Sequence, residues 1–233
     1  MAHLTAKPRA EFVRSMFARI ARYYDRANHW MTFGQDAKWR REVLDLAGLP
    51  SGGRLLDVGT GTGDLALGAI QRDKSCFAVG VDFTLEMMQQ GSRRHLGERV
   101  GWLDADALCL PFAAKSFDAV VSGYLMRNVI DIKWGLAEQY RVLKGGGRMV
   151  CLDTTPPLDD AWHLPSRIYI RHIIPIVGKL LARDADAYVY LAESTERFVN
   201  AEELADRMLK AGFKDVQFHR FLGGTMAIHW GIK

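Results

Sequence analysis

A Rossmann-like α/β fold is what this 233-residue sequence predicts: a doubly wound sheet, mostly parallel, closed by an antiparallel hairpin and covered by N-terminal lid helices. Three observations predict it. Strand-like and helical runs alternate along the chain, and three glycines at alternate positions follow the first apolar strand. An acid, Asp82, then ends the second strand about 20 residues beyond those glycines.

The elements follow in order. Phe12, Val13, Met16, Phe17 and Ile20 recur at helical spacing, with Arg9, Arg14, Arg19 and Arg22 among them. That composition resembles a transit peptide, but it runs without a break into YYDRANHWMTFGQDAKWR, so it is read as part of the folded body. LLDVGTGTGDL is a strand entering a glycine loop, and residues 65–72 are helical. CFAVGVD, VGWLDADAL and SFDAVVSGYL read as strands. IKWGLAEQYRVLK reads as a helix closed by Gly145 to Gly147, and RMVCLDT as a further strand. VQFHRFLGG and TMAIHWGIK, joined at Gly223 and Gly224, read as the closing hairpin. The reading is one domain over 1–233: a helical lid at 1–45, a cofactor-binding core at 46–153, a substrate-cover insertion at 154–190, and a C-terminal helix with closing strands at 191–233.

Composition narrows the function classes. A 48% hydrophobic and 25% charged chain of this length supports one sizeable core. Three cysteines, Cys76, Cys109 and Cys151, lack metal-ligand spacing and read as buried inert thiols of a reducing compartment, so neither a disulfide nor a metal is expected. A formal charge of +4, with no basic face interleaved with aromatics, gives no reason to expect nucleic acid. A cytoplasmic enzyme is the expectation.

The glycine loop points to the ligand. Gly59, Gly61 and Gly63, with Asp57 before them, let backbone pass close beneath a nucleoside. The spacing is G-x-G-x-G, not the dinucleotide G-x-G-x-x-G, and Asp64 follows at once. A carboxylate at that helix start repels a pyrophosphate but accompanies a ligand carrying an ammonium and a sulfonium. S-adenosylmethionine fits that description. Asp82 is placed to accept from ribose hydroxyls. Asp106 and Ala107 follow the third strand, where an acid accepts from an adenine amino group or is simply an exposed loop residue.

These residues, with YYDRANHWMTFG, the Arg127–Asn128 pair, YRVLKGGGRMVCLD and YVYLAES, carry a resemblance over nearly the whole chain. The sequence resembles the S-adenosylmethionine-dependent C-methyltransferases of ubiquinone and menaquinone biosynthesis, a family of class I methyltransferase fold. The resemblance implies cofactor contacts at Thr62, Asp82, Asp106, Ala107 and position 123, and a polyprenylated quinol substrate, demethylmenaquinol first among them. Gly123 stands where that family usually has serine. Tyr124 and Leu125 replace a phenylalanine-glycine pair, and LDTTPP replaces a glutamate-phenylalanine-serine run.

Carbon methylation of a quinol needs alignment, water exclusion, a proton acceptor and a cation for the developing phenolate, and no enzyme nucleophile. Arg127 and Asn128, past the fourth strand, are candidates for that centre; a structural salt bridge is the other reading of Arg127. Tyr24, Asp25, Asn28 and His29 would cap both ligands as a lid, although Tyr24 also reads as a core aromatic and Asp25 as a helix cap. His163, His172 and His229 are the other histidines of note, and His229 reads as a satisfied strand residue. Residues 161–183 mix apolar side chains with Arg167, Arg171, Lys179, Arg183 and no acid, which suits peripheral contact with an anionic membrane or a cover over the pocket. The sequence leaves room for a homo-oligomer. Other readings remain: a methyltransferase of another small aromatic or lipid, a nicotinamide enzyme on the same fold, or a silent cofactor binder.

Overall fold

The computed structural model describes residues 6–156 and 184–233. Helices α1 (Ala6–Ile20), α2 (Tyr24–Met31) and α3 (Asp36–Ala47) precede strand β1 (Arg54–Val58). Then come α4 (Asp64–Arg72), β2 (Phe77–Asp82), α5 (Leu85–Ser92), β3 (Gly101–Asp104), β4 (Phe117–Gly123), α6 (Ile132–Val142) and β5 (Leu143–Thr154). Helices α7 (Ala185–Arg197) and α8 (Ala201–Lys210) lead into β6 (Lys214–Phe221) and β7 (Met226–Ile232).

The strands form one seven-stranded sheet in the order β3-β2-β1-β4-β5-β7-β6. β1 to β5 run parallel, and β7 is antiparallel to both β5 and β6. The order reverses between β1 and β4, so the loops leaving those strands open a crevice at the carboxyl edge, where ligands of such sheets bind.

Strand alternation builds both cores. Leu55, Ala119, Val121, Val150 and Leu152 pack with Val43 of α3 and Leu65 and Ile70 of α4 on one face. Leu56, Val58, Val120, Met149 and Cys151 pack with Leu136 of α6 and Leu204 and Met208 of α8 on the other. A one-residue register slip would exchange the two sets, so burial on both faces fixes the pairing. Side chains close the helix starts: Asp131 accepts from the Trp134 amide, Asp184 from Ala187 and Asn200 from Glu203.

A third cluster joins the lid to the body. Val13, Met16 and Ile20 of α1 and Ala27 and Met31 of α2 pack on Ala187, Tyr188, Tyr190 and Leu191 of α7, with Tyr24 and Phe83 against them. The apolar stripe read in the N-terminal segment is therefore core, and Arg19 ties α1 to the start of α7 through Asp184 at 2.8 Å.

Two expectations are corrected. Gly145 to Gly147 do not close the preceding helix. α6 ends at Val142, and the glycines lie inside β5, where the register with β4 jumps from Phe117↔Leu143 to Ala119↔Arg148. Cys109 is exposed, because β3 ends at Asp104 and residue 109 falls in the following loop, whereas Cys76 and Cys151 are buried. Residues 161–183, with His163 and His172, lie outside the described residues, as does most of the 154–190 insertion. Among the described residues no helix is long and apolar enough to cross a membrane.

Candidate active site

The loop leaving β1 is held by its own acid. Asp57 is buried, and its Oδ2 accepts from Thr60 Oγ1 at 2.7 Å and from the Ala66 amide at 3.2 Å. Its Oδ1 is buried without a hydrogen-bond partner. Burial pushes the Asp57 carboxyl up to about 7. Gly63 has φ +81, and a Cβ there would stand 2.3 Å from the Trp102 ring, so the loop closes only with glycine at that position.

Asp82 locks the loop from β2. Its Oδ2 accepts from the Gly61 amide and its Oδ1 from the Thr84 amide, both at 2.8 Å. Burial raises its pKa, opposed by those two amides. Asp57, Gly59, Gly61, Thr62 and Gly123 line one small cavity, together with Tyr24, Arg40 and Tyr124. Gly59, Gly61, Asp82 and Gly123 line its neighbour with Phe17, Met87 and Asn128.

These cavities suit the expected cofactor. An orphaned carboxylate oxygen at Asp57 is an acceptor for an ammonium, and a carboxylate fixed by two amides at Asp82 presents its remaining lone pairs to hydroxyls. A Cβ on Gly59 would lie 2.7 Å from Leu125, so the backbone itself forms the wall there. At Gly123 a Cβ meets only Leu65, at 3.6 Å, which leaves ordinary room for a side chain.

Thr62, Asp25 and Asp64 form a latch. Thr62 Oγ1 donates to Asp25 Oδ1 at 2.6 Å, which joins α2 to the glycine loop. Arg94 reaches Asp64 at 2.6 Å and Asp25 at 3.6 Å, and Arg40 reaches Asp64 at 3.0 Å. Asp64 is thus neutralised by arginines. Burial, with Asp64 nearby, raises the pKa of Asp25, which lines neither loop cavity. Tyr24 lines both, and burial raises its pKa against the pull of Arg127.

Past β4 the chain turns sharply. Tyr124 has φ +61 and donates its amide to Leu152 O at 2.7 Å. Its ring lies 5.2 Å from the Arg127 guanidinium carbon, and its hydroxyl is buried without a partner. Arg127 Nη1 donates to Asp153 Oδ1 at 2.5 Å, and the Arg127 amide to Asp153 Oδ2 at 3.2 Å. The salt-bridge reading of Arg127 therefore describes a real contact. It does not exclude the other, because Arg127 also lines an apolar cavity of about 80 Å³ with Asn28, Met31, Tyr124, Thr195 and Met226. Asn128 Nδ2 donates to Tyr124 O at 3.0 Å, and its Oδ1 accepts from Tyr190 at 3.3 Å.

Tyr124 lines all three cavities, so it is the partition between the glycine loop and the apolar cavity. Of the other lid groups, Asn28 faces the apolar cavity with Nδ2 unpartnered, whereas His29 is exposed and pairs with Asp36 at 3.5 Å. Asp106 is exposed past β3, with Oδ1 accepting from the Leu108 amide at 2.9 Å; it and Ala107 line neither loop cavity. His229 is buried in β7, its Nε2 2.9 Å from Ala201 O, and burial lowers its pKa to about 4.

Asp153, Arg40, Arg94 and Tyr190 escaped the sequence reading. An acid at the carboxyl end of β5 beside a buried arginine was the available signal for Asp153. Arg40 comes from α3 and Arg94 from the turn after α5, neither within a local motif, and Tyr190 lies in YVYLAES, a motif that assigned it no contact.

A seven-stranded sheet of this order, with an acid-flanked glycine loop at the switch point, is that of a class I methyltransferase. The sequence matches the ubiE/COQ5 methyltransferase family over residues 5–233, and the chain belongs to that family. A relative from Desulfotalea psychrophila, named ubiquinone/menaquinone biosynthesis C-methyltransferase UbiE, is 46% identical over 99% of this chain and 96% of its own. A demethylmenaquinone methyltransferase of Roseiflexus castenholzii is 42% identical over 97% of this chain and 94% of its own. Among solved structures, a SAM-dependent methyltransferase from Thermotoga maritima superposes with TM-score 0.67 at 22% identity, covering 95% of this chain and 99% of its own. The [4+2]-cyclase SpnF superposes with TM-score 0.64 at 19% identity over 84% of this chain and 80% of its own. At such identities the likeness is one of fold. The chain is an enzyme, an S-adenosylmethionine-dependent methyltransferase.

Proposed function

We propose that this enzyme methylates a ring carbon of a prenylated naphthoquinol, demethylmenaquinol, and that the ring occupies the apolar cavity walled by Tyr124 and Arg127. The observation that carries this reading is the position of Arg127: a buried cation lining an apolar cavity, one residue wall from the glycine loop. The relatives named demethylmenaquinone methyltransferase support the choice of ring.

In this reading Asp57 Oδ1 accepts from the cofactor's ammonium, and Asp82 from its ribose hydroxyls. The glycine backbone and Gly123 form the floor, and Thr62 holds the lid shut through Asp25. Asp106 and Ala107 are assigned to the adenine side from their place beyond β3. The cofactor supplies an electrophilic methyl group.

The ring's acidity is the chain's task. A phenol near Arg127 loses its proton more readily, because the developing oxyanion meets a guanidinium in a water-poor cavity. Arg127 cannot be the base. Asn28, whose Nδ2 is unpartnered at the cavity wall, orients the ring hydroxyl or a water that takes the proton. Asn128 holds the Tyr124 partition through the Tyr124 carbonyl, and Tyr24 closes the glycine-loop side. The prenyl tail leaves toward Met31, Leu191 and Leu222 of the same cavity, and residues 161–183 meet the membrane surface from which the quinol is drawn.

Incubating the protein with S-adenosylmethionine and, separately, demethylmenaquinol and the benzoquinol analogue tests this. The expected outcome is one added methyl on the naphthoquinol ring, located by mass spectrometry of the product. Methylation of the benzoquinol alone would reverse the choice of ring, and an O-methyl product would remove the carbon chemistry.

A further inference from the structure

Arg127 also lines a second cavity, of about 240 Å³, that methyl transfer leaves unused. Four arginines from four elements line it: Arg9 of α1, Arg127 of the loop after β4, Arg197 at the end of α7 and Arg207 of α8. Asp131 is the one acid among its lining residues, and its Oδ1 is engaged by the Trp134 amide as the cap of α6. Arg127 is neutralised by Asp153 and Arg207 by Glu203, at 2.5 and 2.7 Å.

The other two cations are not neutralised. Arg197 is exposed and has no ion-pair partner among the described residues. Arg9 donates only to a carbonyl, Arg127 O at 2.8 Å, and its Nε is buried without a partner. The Nε of Arg127, in a side chain 6% exposed, is likewise buried and unpartnered. Unsatisfied guanidinium donors at buried positions are costly, and like charges drawn into one cavity repel. An anion relieves both costs.

We propose that this cavity is a binding site for a phosphate-bearing anion. Phosphate oxygens match the planar fork of arginine in bidentate fashion, and a multiply charged anion balances this excess of positive charge better than a single carboxylate does. Arg127 is the one residue common to the linings of this cavity and the apolar cavity, so the occupant shares a wall with the substrate without entering the substrate's space. The phosphate comes either from a soluble phosphate compound or from the headgroup of an anionic lipid, and the two sources give different results in one experiment.

Titration calorimetry with inorganic phosphate and pyrophosphate, and co-sedimentation with phosphatidylglycerol or phosphatidylcholine vesicles, are run on the whole chain. The variants are Arg197→Gln, Arg9→Gln and, as a charge-matched control on α5's exposed end, Arg93→Gln. Arg197→Gln and Arg9→Gln are expected to weaken binding about tenfold each, the loss of one charge-assisted contact, while Arg93→Gln leaves it unaltered. Binding of the free anions with no preference between vesicles identifies a soluble phosphate compound. Binding to phosphatidylglycerol vesicles alone, sensitive to Arg197, identifies a headgroup. Absence of binding in both arms, or an equal loss in Arg93→Gln, overturns the proposal.

Discussion

At the scale of single residues, Asp57 is a carboxylate whose acidity burial changes strongly. It is buried with its carboxyl pushed up to about 7, so between about pH 4 and 7 the folded, ligand-free protein holds a proton that the unfolded chain has released. Through that window the group costs stability as pH rises, because the folded state binds the extra proton. An ammonium at the orphaned Oδ1 favours the carboxylate and reverses this. Cofactor binding is therefore expected to release a proton and to tighten between about pH 5.5 and 7, with Asp57→Asn flattening the dependence. Calorimetry in buffers of differing ionisation enthalpy counts that proton, and a count of zero contradicts the assignment. Asp82→Ala is expected to weaken the cofactor by about 1.5 to 3 kcal/mol, since it strands ribose hydroxyls and also frees the Gly61 and Thr84 amides. Gly123→Ser fits the open space beside Leu65 and is expected to tighten binding by about 1 kcal/mol if its hydroxyl returns one hydrogen bond. Unchanged affinity in either variant, by the same titration, removes that contact.

At the scale of elements, the lid is held by two kinds of contact. Apolar packing of α1 and α2 on α7 sets its position, and the Thr62–Asp25 bond with Arg94 ties α2 to the glycine loop. Asp25→Ala leaves the packing intact and cuts the tie, so the cofactor is expected to dissociate several-fold faster with little change in the chemical step. Stopped-flow displacement measures the first and single turnover the second. An equal drop in the single-turnover rate would make Asp25 part of the chemistry. The strands, α4 and the closing hairpin were legible because burial on both faces writes continuous apolar runs and the turns demand glycine. The start of β5 was not, because Gly145 to Gly147 look like a helix stop wherever they stand, and only pairing with β4 shows them to be an excursion within a strand. The glycine loop and Asp82 were legible as a site for the same local reason. The Arg127–Asp153 pair joins two strand ends that are neighbours only in the assembled sheet.

At the scale of the whole molecule, the reversal of strand order between β1 and β4 brings two chemistries within one crevice. β1 delivers the glycine loop, β4 delivers Tyr124 and Arg127, and β5 supplies Asp153 to fix the arginine. A buried pair of this kind is costly to break, about 3 to 5 kcal/mol when one partner is removed, so Arg127→Ala confounds folding with chemistry. Arg127→Lys keeps the charge against Asp153 and loses the planar fork that reaches past it. The most direct test is single-turnover methyl transfer from a preformed complex of enzyme, S-adenosylmethionine and demethylmenaquinol, comparing the native chain with Arg127→Lys. If Arg127 stabilises the ring oxyanion, the methyl-transfer rate is expected to fall roughly 10²-fold while both ligands bind with nearly native affinity. A folded Arg127→Lys protein that binds both ligands and transfers methyl at the native rate would contradict the assignment of the Arg127 guanidinium fork to the ring oxyanion.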